Sequence, residues 1–139
     1  MESQGIQWCF RTGNRRICWI IDHDDILGPN ALFEVTKALQ KKKYDILYTD
    51  EDKVSGDLSE HMDPNFKPDW SPDLFYSHNY ITHFFVVKKE IIDKIGGFRS
   101  EYDGSQDYDL MFRCIENVGK HQTYSDDFIP LENAWRISC

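Results

Sequence analysis

The sequence predicts an α/β fold with a mostly parallel sheet and flanking helices, within the single domain that 139 residues allow. Two short apolar runs, residues 17–21 and 45–49, each end in a group of acidic residues. A helical pattern at residues 31–42 lies between them. Two strands joined by a helix form a right-handed parallel unit in most proteins. The two acidic ends are therefore predicted to lie at one edge of the sheet.

The first apolar run is predicted to be a buried strand that delivers carboxylates to a ligand. Residues 17–21 are continuously apolar, which favours an interior strand, although periodicity alone leaves a buried helical segment open. The run stops at Asp22, His23, Asp24 and Asp25. Three carboxylates within four residues repel one another unless a cation lies among them. A divalent cation is the predicted occupant, and an acidic turn that only caps the next helix is the alternative.

The middle of the chain is predicted from its turn residues. Asn30 follows a Gly-Pro break and is a suitable N-cap for the helix at residues 31–42. After the second strand, residues 54–62 are polar with a Gly-Asp turn signal, which predicts a hairpin or a loop. Residues 63–73 contain three prolines and are predicted to form an extended loop, because proline is excluded from helix interiors and central strands.

The remaining elements follow from capping residues and periodicity. Ser71 and Ser105 are predicted N-caps, and Gly96 and Gly119 are predicted helix stops. The predicted elements are a helix at residues 72–78, a strand at 83–88, helices at 89–95 and 106–118, and two strand-like pieces around Pro130.

Composition excludes some classes of function. The net charge of -8 leaves no basic surface for nucleic acid. The four cysteines form no Cys-x-x-Cys pair, and we expect reduced thiols in a cytosolic protein. No apolar run approaches the roughly 20 residues that span a membrane. The predicted location is therefore the cytoplasm, either free or at the inner face of the membrane.

Seven motifs resemble, in order and spacing, the family 2 glycosyltransferases of the GT-A fold, above all the bacterial enzymes that build O-antigen and other surface polysaccharides. The resemblance covers residues 19–137. It implies the C-terminal part of a GT-A fold and an inverting transfer of sugar from a nucleotide-diphosphate sugar to a glycan or lipid-linked acceptor, assisted by Mg²⁺ or Mn²⁺. The motifs are D-H-D-D-I-L-G-P-N-A-L, Y-T-D-E-D-K, F-K-P-D-W-S-P-D-L, N-Y-I, G-G-F-R, G-S-Q-D-Y-D-L and W-R-I.

The resemblance also implies roles for particular residues. The D-x-D motif of the family corresponds to Asp22 and Asp24 with the histidine between them. Asp24 is thus the first-choice metal ligand, with Asp22 and Asp25 beside it, and Asp22 and Asp24 also hold the nucleotide sugar. Asp107 stands at the position of the catalytic base, and its place in a helix's first turn favours the ionised form. Trp70 stands where the family shapes its sugar pocket, although a core anchor is an equal alternative.

Two departures from the family pattern qualify this prediction. The family has a complete nucleotide-binding half before the D-x-D strand, whereas residues 1–16 match no motif. We therefore expect an atypical segment at 1–16 and a partial transferase domain at 17–139. Ala134 stands where the family often has a histidine that completes the metal site. A catalytically inactive remnant that serves as a binding or assembly module stays open, as does a metal-dependent phosphoryl-transfer or hydrolase domain.

The expected lack of a preceding half would have a structural consequence. Without the strands that precede it in the family, the strand at residues 17–21 would expose an edge of unpaired backbone groups. Such edges pair readily with another chain. We therefore expect self-association, as a homodimer formed through this sheet edge.

Overall fold

The computed structural model describes residues 6–12, 14–22, 24–41, 44–118 and 136–138, and within these ranges it contains eight strands and four α-helices. The strands are β1 (Ile6–Thr12), β2 (Arg15–Ile21), β3 (Asp25–Leu27), β4 (Ile46–Tyr48), β5 (Glu51–Val54), β6 (His61–Asn65), β7 (Phe85–Lys88) and β8 (Arg136–Ser138). The helices are α1 (Ala31–Lys41), α2 (Pro72–Ser77), α3 (Lys89–Ile95) and α4 (Gln106–Glu116), with a 3₁₀ turn at Ser100–Tyr102.

The strands form two four-stranded sheets, in the orders β1-β2-β7-β4 and β3-β8-β5-β6. Every neighbouring pair is antiparallel except β5 with β8. The prediction of a mostly parallel sheet is therefore wrong, and the chain is a small α/β domain with largely antiparallel sheets. Since β7 lies antiparallel to both β2 and β4, those two strands still point in the same direction. Their acidic ends consequently meet at one edge of the first sheet.

The wrong strand direction has a simple cause. A continuous apolar run reports that both faces of a strand are covered, and it carries no information on the direction of its neighbours. In β4, Leu47 joins the core on one face of the sheet, while Ile46 and Tyr48 join the core on the other. The strand between β2 and β4 is supplied by β7, far along the chain.

Two apolar cores cover the two faces of the first sheet. On one face, α1 packs Val35, Ala38 and Leu39 against side chains of β2, β4 and β7. On the other face, α2, α3 and α4 contribute the larger core. Its largest side chains with less than 2% exposure are Tyr48, Phe75, Phe85, Ile46, Ile81, Leu110 and Met111. This three-layer arrangement leaves the ends of the strands, rather than the faces of the sheet, available for ligands.

Strand β1 pairs along the whole of β2, with Ile6 opposite Ile21 and Thr12 opposite Arg15. The edge of β2 that was predicted to be unpaired is therefore covered by the chain's own residues. The predicted homodimer remains a prediction, but it would have to use another edge.

The same pairing places two cysteines opposite one another. Cys9 and Cys18 are register partners with a Cα–Cα distance of 4.0 Å, and their sulfurs form a disulfide. The prediction of reduced thiols is thus wrong for this pair. Cys114 is a buried free thiol of α4, and burial raises its pKa to about 12. Cys139 lies outside the described residues.

Local signals located most of the other elements correctly. The hairpin around residues 54–62 is confirmed as β5 and β6, and β6 is the edge strand in which a proline is tolerated. The helices begin after Ser71 and Ser105 as predicted, although neither side chain makes a capping hydrogen bond. Gly96 ends α3 with a left-handed φ of 85°. Lys42, Gly119 and the strand-like pieces before residue 136 lie outside the described residues.

An ion-pair network fastens α4 to the end of α3. The carboxylate of Asp109, which is 8% exposed, accepts hydrogen bonds from Arg99 and Arg113. Arg113 also donates to the carbonyl of Ile95 at 3.0 Å and to that of Gly97 at 2.7 Å. Asp109 is thereby explained as a structural residue, in contrast to Asp107 two positions earlier.

Replacing Asp109 with asparagine should lower the free energy of unfolding at pH 7 by about 1–2 kcal/mol. The hydrogen bond from Arg99, reinforced by Arg113, holds the pKa of Asp109 below its ordinary value. A depressed carboxyl pKa stabilises the folded state above pH 4, and this stabilisation disappears as the pH falls through the folded-state pKa.

Urea denaturation of the parent chain and D109N at pH 7 and at pH 3 measures this effect. The difference in the free energy of unfolding between the two proteins should be smaller at pH 3 than at pH 7. Asp93→Asn is the control, because Asp93 belongs to an exposed pair with Lys89 and should change stability by less than about 0.5 kcal/mol. A difference for D109N that is the same at both pH values would contradict the prediction.

Candidate functional site

An acidic cleft of about 440 Å³ opens at the edge where the ends of β2 and β4 meet. Six carboxylates line it, together with one lysine, one asparagine and one histidine. Six carboxylates in one cleft repel one another electrostatically, and a bound cation would offset this repulsion. The lining residues are Asp22, Asp24, Asp25, Glu51, Asp52, Lys53, Asp63, Asn65 and His83.

The turn after β2 folds two of these carboxylates together. The backbone N–H of Asp25 donates to the carbonyl of Asp22 at 3.2 Å, and the N–H of Asp22 donates to Oδ2 of Asp25 at 3.2 Å. These reciprocal hydrogen bonds hold the Asp25 carboxylate against the end of the strand. Asp24 is exposed and also lines the cleft. His23, the middle residue of the D-x-D motif, lies outside the described residues.

The imidazole of His83 lies between the two aspartates. Its Nε2 is 3.5 Å from Oδ2 of Asp22, and its Nδ1 is 3.4 Å from Oδ2 of Asp25. One ligand atom from each of the three residues lies within 4.8 Å of the others. The side chains of Asp22, Asp25 and His83 are 30%, 1% and 18% exposed, so the group is sheltered but open to the cleft.

This group of donors fits a divalent cation. Two carboxylate oxygens and one imidazole nitrogen suit Mn²⁺ and similar ions, and the open side leaves coordination positions for a second ligand. The structure brings Asp22 and Asp25, two of the three predicted ligands, together with His83. Asp24, the first-choice ligand from sequence, lies on the cleft wall rather than in this group.

His83 is not among the residues that the sequence analysis predicts for the site. His83 lies just before β7, which runs opposite to β2 and β4. The start of β7 therefore lies at the same edge as the ends of its two neighbours. Only the strand direction identifies His83 as a partner of Asp22 and Asp25, and no local signal in the sequence carries that direction.

The acids that follow β4 are also held in place rather than solvated. Asp50 is buried and accepts the backbone N–H of Lys67 at 2.7 Å. Asp52 is buried with its Oδ2 2.7 Å from Nδ1 of His61. Among the residues that the structure describes, Oδ1 of Asp52 has no hydrogen-bond partner. Asp52 thus contributes to the cleft lining a carboxylate with one oxygen bound to His61 and the other without a described partner.

Two other residues predicted for the site lie apart from the cleft lining. Trp70 packs its ring 5.4 Å from that of Phe75 and joins the larger core, which supports the core-anchor alternative. Its role as a sugar platform stays a prediction. Asp107 is half-buried in the first turn of α4 and does not line the cleft. Its role as the catalytic base also stays a prediction.

Comparison with known proteins finds similarity to parts of two much longer bacterial proteins. The chain is 42% identical over 106 residues to Uncharacterized protein y4gI of Sinorhizobium fredii, which is 76% of this chain and 12% of that protein. It is 47% identical over 95 residues to O-antigen biosynthesis protein RfbC of Myxococcus xanthus, which is 67% of this chain and 7% of that protein. No family model matches the chain. None of the helices that the structure describes combines the length and apolar character needed to cross a bilayer.

Proposed function

We propose that this chain forms the cation-binding part of a glycosyltransferase of surface-polysaccharide synthesis. Its substrates are a nucleotide-diphosphate sugar and the hydroxyl group of a glycan or lipid-linked acceptor. The observation that carries the proposal is the convergence of Asp22, Asp25 and His83 in an acidic cleft. The 47% identity to a segment of a protein named for O-antigen biosynthesis supports the polysaccharide context.

The charge of the cleft explains why a cation and a diphosphate belong together in this proposal. A diphosphate is repelled by six carboxylates, so it binds only if positive charge lies between the two. Asp22, Asp25 and His83 would hold Mg²⁺ or Mn²⁺ on the wall of the cleft. When bound, the cation supplies Lewis-acid stabilisation of the negative charge that develops on the leaving diphosphate.

In this proposal, side chains of the protein bind the donor sugar and remove the proton of the acceptor. Asp24 is exposed and lines the same cleft, and in this proposal its carboxylate accepts hydrogen bonds from hydroxyl groups of the donor sugar. In the proposed transfer, Asp107 removes the proton from the acceptor hydroxyl as the sugar moves to that oxygen. This assignment rests on the motif Gln106-Asp107, since Asp107 lies outside the lining of the cleft.

Calorimetric titration tests the proposal. Mn²⁺ should bind the chain with heat, and UDP or GDP should bind only after Mn²⁺ has been added. Binding of neither would overturn the proposal, as would nucleotide binding that is independent of the cation. Binding of Mn²⁺ without any nucleotide would favour the inactive binding module.

A second measurement separates transfer from hydrolysis. Consumption of a nucleotide-diphosphate sugar that requires an added glycan acceptor supports a transferase. Consumption at the same rate without acceptor would instead support a hydrolase that uses the same acidic cleft.

A further inference from the structure

Lys67 places a buried cation directly behind the candidate metal site. Its side chain is only 1% exposed, which is unusual for a lysine. The ammonium Nζ donates to the carbonyl of His83 at 2.5 Å and to that of Ile81 at 3.4 Å. It lies 3.5 Å from Oε2 of Glu51. Three donors thus meet three acceptors, which offsets the cost of removing the charge from water.

Glu51 holds the backbone of His83 from the other side. Its Oε2 accepts the backbone N–H of His83 at 2.9 Å, and its Oε1 accepts a hydrogen bond from Nδ2 of Asn65 at 2.9 Å. His83 is therefore held through both of its backbone polar groups, the N–H by Glu51 and the carbonyl by Lys67. We call this arrangement the His83 clamp, made of Lys67 and Glu51.

The clamp fixes the point from which the imidazole projects. With the backbone held on both sides, the ring reaches the position where its two nitrogens lie 3.5 Å from Asp22 and 3.4 Å from Asp25. A ligand that is oriented in advance binds a cation more tightly, and residues that only orient a ligand contribute about 10–100-fold to metal affinity. The clamp therefore determines whether the cleft offers a nitrogen donor or only oxygens.

A nitrogen donor changes which cation the site prefers. Mg²⁺ binds oxygen ligands almost exclusively, whereas imidazole favours later divalent ions, and Mn²⁺ accepts both. An all-oxygen cleft would distinguish Mn²⁺ from Mg²⁺ weakly. A cleft with His83 in place should prefer Mn²⁺.

We propose that Lys67 and Glu51 are positioning residues that present the His83 imidazole as the nitrogen ligand of the cation site, and that this ligand makes the site select Mn²⁺ over Mg²⁺. The inference rests on the proposed function, because it assumes that the cleft binds a divalent cation. It goes beyond that function by assigning the basis of cation choice to two residues outside the group of three donors.

The test compares Lys67→Met with Lys53→Met in the full chain. Lys53 lines the cleft and pairs with Asp63 at 3.0 Å, whereas Lys67 is buried behind the cleft, so each variant removes one positive charge near the same site. The readouts are Mn²⁺ and Mg²⁺ affinities and the ¹⁴N modulation in electron-spin-echo spectra of bound Mn²⁺. His83→Ala identifies which modulation belongs to His83.

K67M should weaken Mn²⁺ binding about 10–100-fold, change Mg²⁺ binding less than about 3-fold, and abolish the ¹⁴N modulation. K53M should keep the modulation and the Mn²⁺ preference. Unchanged modulation and preference in K67M would overturn the inference. So would an equal loss of affinity for both cations, because that result indicates a general loss of structure.

Two further measurements keep the test decisive. Circular dichroism checks the fold of K67M, and Lys67→Gln, which retains a polar group but is too short to hold the carbonyl, replaces it if K67M is unfolded. The wild-type spectrum is a test in its own right, since bound Mn²⁺ without histidine modulation would overturn the inference while leaving the proposed function intact. Failure of the wild type to bind Mn²⁺ at all would instead overturn both.

Discussion

Replacing Asp25 with asparagine should weaken Mn²⁺ binding by at least about 100-fold. Residues that only orient a metal ligand already contribute about 10–100-fold to the affinity, so the loss of a ligand itself should cost at least as much. The Asp25 side chain is 1% exposed and lies 3.4 Å from His83, so its charge is poorly screened by water. Asparagine keeps the shape and the carbonyl oxygen but loses the negative charge that a hard cation requires. Calorimetric titration of Mn²⁺ into the two proteins measures the effect.

Asp24→Asn provides the matched control. Asp24 is one residue away, carries the same charge and lines the same cleft, but it is exposed and lies outside the group of three donors. D24N should change the Mn²⁺ affinity less than about 5-fold, because solvent and salt screen an exposed charge. The reverse order of effects would show that the D-x-D reading, with Asp24 as the principal ligand, is correct. Asp22→Asn gives a second test should D25N fold poorly.

Replacing Phe85 with alanine should lower the free energy of unfolding by about 3–5 kcal/mol. Phe85 is fully buried in the central strand β7, opposite Ile20 of β2 and Tyr48 of β4. Its removal leaves a cavity where three strands meet the core beneath α2, α3 and α4. Domains of this size are typically stable by about 5–15 kcal/mol, so the change removes a large fraction of the total.

Urea denaturation measures this effect, with Phe33→Ala as the control for the same chemical change. Phe33 lies on α1 and is 66% exposed, so its truncation should alter stability by less than about 0.5 kcal/mol. Similar losses for F85A and F33A would contradict the description of the core.

The local features of the fold were predictable because the signals that determine them are local. Asn30 precedes α1, Pro72 begins α2, and Gly96 ends α3 because only certain residues suit those backbone positions. Strand pairing was not predictable in the same way, since the apolar run of β2 is compatible with a neighbour in either direction. The pairing of β1 escaped prediction because residues 6–12 show only weak periodicity.

The acidic side of the site was predictable for a related reason. Asp22 and Asp25 follow a strand directly, so their position depends only on where that strand ends. Tertiary structure brings His83 to the cleft from the start of an oppositely directed strand, and it brings Lys67 to the carbonyl of His83 from a proline-rich segment. The hydrogen bonds of the His83 clamp join residues 14–32 positions apart, and His83 itself lies 58 and 61 positions from Asp25 and Asp22.

The position of β7 between β2 and β4 has a consequence for the order in which the chain folds. The two earlier strands share no hydrogen bonds with each other, and each obtains its common neighbour only when residues 85–88 arrive. Closing such long loops before any contact is gained makes folding slow relative to a helical protein of equal size. During synthesis β2 and β4 cannot join one sheet until residues 85–88 have been made. The cation cleft, which takes His83 from the start of that strand, is therefore completed late.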